Sequence, residues 1–294
     1  VPNNSSAPTI TLHLTIFFWA CGALFAKIID LPAAEIIYLR SVPGFLVLTL
    51  LALALKKSFY FRPMDLFFGI LIGLLTVTHW VTFYQSVQAS TVALGLIMLY
   101  THPVFTTLGE ALIHRQRPNR QQLLLALSGL VGIALVSLQS LSSGFNLPAI
   151  GLGLISAILF ASRNLFSKYL ASHIPSLMQM WLQLLTAVVA LGLFFGLEPV
   201  QSANQQDWLL LALLGVVFVA LPHTGYLYAL KHLGPTRASL MGMIQPVYAI
   251  GLAFLILDEF PTLLEITGGI IILGAASWAT LDARGDQPKP RPAL

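Results

Sequence analysis

The chain reads as an all-α, polytopic membrane protein, with ten transmembrane helices arranged as two inverted-topology five-helix repeats. Three observations predict this. Of 294 residues, 57% are hydrophobic and 9% are Asp, Glu, Lys or Arg, whereas a soluble domain carries roughly 25% charged residues. The eleven Asp and Glu fall near the ends of apolar runs and never at the middle of one, as a bilayer requires. Motifs of the first half also recur in the second half at an offset of 141 to 143 residues.

A hydrocarbon core needs about 20 apolar residues per helix, and the chain divides into ten such runs. They lie at 9–29, 33–55, 64–88, 91–114, 119–139, 147–171, 174–196, 206–230, 235–257 and 261–281. Pro or polar residues join them, as at Lys56-Lys57, Arg115-Gln116-Arg117-Pro118 and Leu233-Gly234-Pro235. No loop is long enough for a soluble catalytic domain. Residues 1–8 and 282–294 read as cytoplasmic tails, the second rich in proline. The first run lacks the basic leader and small-residue cleavage site of a signal peptide.

Lys and Arg mark cytoplasmic loops because they resist translocation. With the N-terminus inside, twelve of the fifteen fall on the cytoplasmic side, including Lys56, Lys57, Arg115, Lys168 and Arg284. Lys27 falls at an outer end, and Arg40 and Arg163 lie within spans. An odd number of spans would put the C-terminal basic residues on the wrong face, so both termini are expected to be cytoplasmic. The net charge of +4 is scattered singly along the chain, with no aromatic-interleaved basic patch for nucleic acid. The lone cysteine, Cys21, excludes an intrachain disulfide.

The repeat divides the chain into 9–139 and 147–281. Span 1 carries Phe18-Trp19-Ala20-Cys21-Gly22-Ala23-Leu24-Phe25-Ala26-Lys27, and span 6 carries Leu159-Phe160-Ala161-Ser162-Arg163-Asn164-Leu165-Phe166-Ser167-Lys168. Span 4 has His102-Pro103-Val104-Phe105 with Pro118 fifteen residues after Pro103. Span 9 has Gln245-Pro246-Val247-Tyr248 with Pro261 fifteen after Pro246. Five spans per half force the second half to insert upside down, an arrangement that supports alternating access in secondary transporters. Proline inside a helix leaves the carbonyl four residues earlier without its partner, here Leu99 and Gly242. In hydrocarbon that carbonyl must find protein or cavity water. Pro103 and Pro246 are therefore expected to break or gate their helices; the alternative is a packing kink.

These residues resemble the drug/metabolite transporter superfamily, and within it the ten-helix EamA-type exporters. The resemblance spans nearly the whole chain. It rests on the span 1 segment, Arg40, Phe83-Tyr84-Gln85-Ser86-Val87, Tyr226-Leu227-Tyr228-Ala229-Leu230-Lys231, Asp258-Glu259-Phe260-Pro261 and the proline spacings. The chain looks most like the YddG group of aromatic amino-acid exporters. Gln116 stands where the second half has Glu259, so those loops do not carry matching acids. The resemblance implies export of amino acids or related metabolites across a bacterial inner membrane. The route would be a central cavity between the halves, lined mainly by spans 1, 3, 4, 6, 8 and 9.

An intramembrane polar group is costly and is a functional candidate by default. The deep ones are His79 and Trp80 in span 3, Tyr100 and His102 in span 4, Arg163 and Asn164 in span 6, His223 and Tyr226 in span 8, and Gln245 and Tyr248 in span 9. Trp19 points either to the cavity or to the core. Aromatic faces with hydrogen-bonding tips suit an amphipathic organic solute. His79 and His102 line the cavity or are satisfied by neighbouring backbone. Arg163 binds a carboxylate or snorkels to the nearby helix end. Arg40 is expected to hold span-end carbonyls or pair with Glu35. Trp181, Trp208 and Trp278 are expected to anchor or pack, and the pairs Gly69/Gly73 and Gly192/Gly196 to allow close helix contact.

The sequence lacks H-E-x-x-H, G-x-S-x-G and any acid pair within a span, so no catalytic residue, metal or cofactor is expected. With no carboxylate at mid-membrane, proton coupling would run through histidine or be absent. The expected partners are a small-molecule substrate and the lipid bilayer; nothing in the chain indicates oligomeric state. The expected activity is amino-acid export, aromatic and other neutral. A multidrug or quaternary-ammonium exporter of the same fold, or a channel-like facilitator, is the alternative.

Overall fold

The computed structural model describes residues 6–22, 25, 29–138, 146–257 and 262–285, and all regular structure there is helical. The first half holds α1 (Ala7–Gly22), α2 (Ala33–Ala54), α3 (Pro63–Ala89), α4 (Val92–Leu99), α5 (His102–Ile113) and α6 (Arg120–Ser137). The second half holds α7 (Leu147–Tyr169), α8 (Ser176–Phe195), a short α9 (Glu198–Ser202) and α10 (Gln205–Leu213). A π-helical segment (Leu214–Ala220) leads into α11 (Leu221–Leu233), followed by α12 (Pro235–Gly242), α13 (Gln245–Leu257) and α14 (Leu263–Gly285). Lys27, residues 258–261 with Glu259 and Pro261, and the residues from Asp286 onward lie outside the described residues.

Local chemistry sets many of the helix ends. Thr91, Asn119 and Asn146 each accept a backbone N–H at the start of α4, α6 and α7. Asn204 and Asp207 form a reciprocal capping box before α10. Gly196 (φ 64°) and Gly234 (φ 87°) end α8 and α11 in a backbone region that disfavours other residues.

Among the described residues, seven helical stretches are long and apolar enough to cross a membrane: 33–54, 63–89, 92–113, 120–137, 147–169, 176–195 and 205–233. The apolar helices Ala7–Gly22 and Leu263–Ala279 are shorter. Outer faces carry bare apolar side chains, among them Leu112, Leu193, Phe194 and Leu209. That suits contact with lipid tails better than contact with water.

The helices pair mainly across the halves. α3 packs on α7, α6 on α14, α2 on α8, α1 on α11, and α5 on α12. Exchanging the halves maps the first four of these pairs onto one another or onto themselves. Small residues allow the close approaches: a Cβ on Gly268 would lie 2.4 Å from the Gly132 carbonyl oxygen. Gly69 and Gly73 face Leu182 and Thr186 of α8, and Gly192 faces Tyr38 of α2. These glycines therefore serve packing within the chain.

Two helices are interrupted, and in the same register. α4 ends at Leu99 and α5 begins at His102; α12 ends at Gly242 and α13 begins at Gln245. Both interruptions are separated by the repeat offset of 143 residues. Each proline is the second residue of a new half-helix, where its missing N–H has no bond to lose.

Candidate functional site

The interrupted helices meet at the centre. The Tyr100 hydroxyl lies 3.0 Å from the Gly242 carbonyl and 2.5 Å from Gln245 Oε1, and its single proton can be donated to either acceptor. Gln245 Nε2 donates to the Trp19 carbonyl at 3.0 Å. The carbonyl that Pro246 frees is thus met by a phenol from the other half, which answers the demand of a low-dielectric interior.

Around this junction lies a cavity of about 80 Å³, counted as the space a water's centre can reach. Its wall is aromatic and histidine-rich. Trp19 sits between His223 (centroids 4.7 Å apart) and Tyr226 (4.8 Å). Phe160 stacks on His79 at 4.7 Å and meets His102 edge-on at 4.7 Å. Trp80 meets His223 edge-on at 5.2 Å.

Of the residues expected here, Trp19, His79, Trp80, Tyr100, His102, His223, Tyr226 and Gln245 line this cavity. His79 Nδ1 lies 2.8 Å from Ser156 Oγ, which orients its ring. His223 Nδ1 lies 3.2 Å from Trp19 Nε1 and 3.0 Å from the Val219 carbonyl, and it can serve one of them in a given tautomer. His102 Nδ1 is buried without a hydrogen-bond partner among the described residues.

Arg163, Asn164 and Tyr248 stand off the wall. Arg163 is fully buried and does not reach a helix end. Its Nε and Nη2 donate to Gln183 Oε1 at 3.0 and 2.8 Å, and its Nη1 donates to Asn164 Oδ1 at 3.1 Å. Asn164 Nδ2 donates to the Tyr226 hydroxyl at 3.0 Å. The pair braces Tyr226 from behind. Tyr248 lies on the α1–α13 contact, with its hydroxyl 2.7 Å from His13 Nδ1. Pro103 is buried in the first turn of α5, and Pro246 holds the matching place in α13.

The structure adds Arg40, Tyr84, Phe160 and Phe218 to the wall. Arg40 neither caps span-end carbonyls nor pairs with Glu35; its Nη1 donates to the Tyr84 hydroxyl at 2.9 Å. The sequence signal was a span arginine with no intramembrane acid to meet it. Phe218 belongs to the π-helical segment, a feature common at functional sites, whose backbone touches α2. A Cβ on Gly215 would lie 2.0 Å from the Arg40 carbonyl oxygen. Trp181 packs instead: its indole donates to Thr49 Oγ1 at 2.8 Å, among Phe45, Phe59 and Phe61.

At the end of the bundle carrying Glu110, polar side chains tie the halves together. Glu110 of α5 accepts from the hydroxyls of Tyr169 in α7 and Thr236 in α12. Lys168 donates to the Lys231 carbonyl, and Lys231 to that of Ile174. A polar cleft lined by Thr107, Glu110, His114 and Thr236 opens beside this network.

The sequence profile of the EamA-like transporter family matches the chain twice, over residues 8–138 and 147–281. An uncharacterized transporter of Bacillus subtilis, YxxF, is 22% identical over 284 residues, covering 95% of this chain and 91% of its own. The pseudopaline exporter CntI of Pseudomonas aeruginosa is 28% identical over 251 residues, covering 83% and 85%. A solved crystal structure superposes with a TM-score of 0.78 at 20% identity, over 96% of this chain and 99% of that one. The doubled profile match covers nearly all of the chain whose two halves meet at this cavity: the protein belongs to the EamA-like transporter family.

Proposed function

We propose that the protein is a secondary transporter that exports amino acids, aromatic and other neutral, or related small metabolites, as the YddG group does. It works by alternating access across a bacterial inner membrane. In this reading ten spans form two repeats of opposite orientation, with both termini cytoplasmic. The observation that carries it is an aromatic, histidine-rich cavity at the junction of two interrupted helices, with His102 on its wall and no partner for its Nδ1 among the described residues. Half-exchange symmetry of the helix pairs and the matched interruptions support the inverted repeat.

The cavity and the cleft beside Glu110 lie on separate stretches of wall, and the Glu110–Tyr169–Thr236 network clamps α5, α7 and α12 at the second. Rocking the halves would undo that clamp and open the other path. The cavity's small volume means that its walls must part to admit a solute as large as phenylalanine. A quaternary-ammonium cargo fits less well, because no Asp or Glu lies among the lining residues.

The test is uptake in liposomes without an ion gradient, using labelled phenylalanine, tryptophan, threonine and a quaternary-ammonium dye. A carrier gives saturable uptake that unlabelled amino acid on the far side accelerates. Linear, unsaturable flux would establish a channel instead, and entry of the dye alone would replace metabolite export with a multidrug role.

A further inference from the structure

Two buried guanidinium groups lie near the centre of the molecule, and only one has a hydrogen bond on every nitrogen. Arg163 has Gln183 and Asn164 on all three nitrogens. Arg40, 3% exposed, has one hydrogen bond, from Nη1 to Tyr84. The Tyr84 hydroxyl in turn donates to the Gly22 carbonyl at 3.3 Å, so its proton is already committed. The guanidinium carbon lies 4.9 Å from the Trp80 ring centroid and 4.7 Å from that of Tyr84. Arg40 Nε is buried with no partner among the described residues. None of the described acidic side chains is within ion-pair distance of Arg40, and none lines the cavity.

Ring faces and a phenol oxygen only partly replace the water that a guanidinium loses on burial. The unused Nε edge is the one through which arginine grips a carboxylate by two parallel hydrogen bonds. Close backbone contact with Gly215 of the π-helical segment fixes the main chain at Arg40, whose side chain is part of the cavity wall. An ammonium group would find no acid on this wall and would meet the Arg40 guanidinium charge.

We propose that Arg40 anchors the carboxylate of the transported solute through its Nε edge, with the solute's apolar body against Trp19, Phe160 and Tyr226. The solute class is an amphipathic organic carboxylate in which an α-ammonium group is dispensable. This rests on the reading of the cavity as the transport site.

The test measures binding of 3-phenylpropionate, phenylalanine, 2-phenylethylamine and 3-phenylpropanamide to the full-length protein in nanodiscs by equilibrium dialysis. The first two are expected to bind at least about 10-fold more tightly than the last two, the usual strength of a charge-assisted hydrogen bond. Arg40→Gln is expected to erase that difference, and Arg40→Lys to keep the carboxylate preference at lower affinity. The wild-type series decides even where a variant does not fold. Equal or tighter binding of the amine or amide by wild type would overturn the anchor, as would a folded Arg40→Gln protein that still prefers carboxylates; either leaves the cavity as an aromatic transport site. Absence of binding by all four compounds, together with no saturable liposome uptake, would overturn the anchor and the transport reading.

Discussion

The two interrupted helices share a register and differ in chemistry. In the first, Tyr100 and Thr101 separate the half-helices; in the second, Met243 and Ile244 do. Tyr100 reaches across to the Gly242 carbonyl of the second interruption. Met243, its counterpart at the repeat offset, has no hydroxyl to return the bond, and its thioether packs over Gly129 of α6 instead. The following residues diverge as well. Gln245 is spent on Tyr100 and the Trp19 carbonyl, while His102, on the cavity wall, has no partner for Nδ1 among the described residues. The same backbone break carries a cross-brace on one side and a histidine on the cavity wall on the other.

The sharpest way to break this comparison is Tyr100→Phe. It keeps the ring and leaves the Gly242 carbonyl buried without its phenol, so stability should fall by about 1–3 kcal/mol, read by reversible unfolding in mixed micelles. Stability equal to wild type would mean that the cross-brace carries nothing. Met243→Leu, at the matching position, conserves volume and should cost less than about 1.5 kcal/mol. If it cost more than Tyr100→Phe, the asymmetry would run the other way. The smallest effects should come from Pro103→Ala and Pro246→Ala, each lowering stability by about 0.4–1 kcal/mol through the freer unfolded chain. A substantial gain in stability on either change would place that proline inside a strained continuous helix rather than in its first turn.

The burial of the two arginines repeats the lesson. Arg163 and Arg40 are both intramembrane cations in sequence, yet neighbouring amides bond every nitrogen of the first while the second lines the cavity. The span 6 arginine was expected to bind a carboxylate or reach the helix end, and the span 2 arginine to serve a structural role. Along the helices only Asn164 beside Arg163 distinguishes them, because the other partners, Gln183 and Tyr84, come from other helices.

The sequence alone marked the long apolar runs, several helix ends and the two proline interruptions, but not the π-helical segment of Leu214–Ala220. A bilayer demands long apolar runs, Asn, Thr and Gly mark several ends by satisfying or freeing backbone groups, and His102-Pro103 and Gln245-Pro246 cannot lie within an uninterrupted hydrogen-bond ladder. It also determined most of the aromatic and histidine set on the cavity wall, since deep polar groups are rare enough to stand out. Only tertiary structure decided which way each side chain faces. Lipid and protein core are both apolar, so a membrane helix lacks the polar face that orients a soluble one. Tyr248 therefore turned to His13, Asn164 turned behind Tyr226, and Arg40 came to the wall, each placed by a partner far away in the chain.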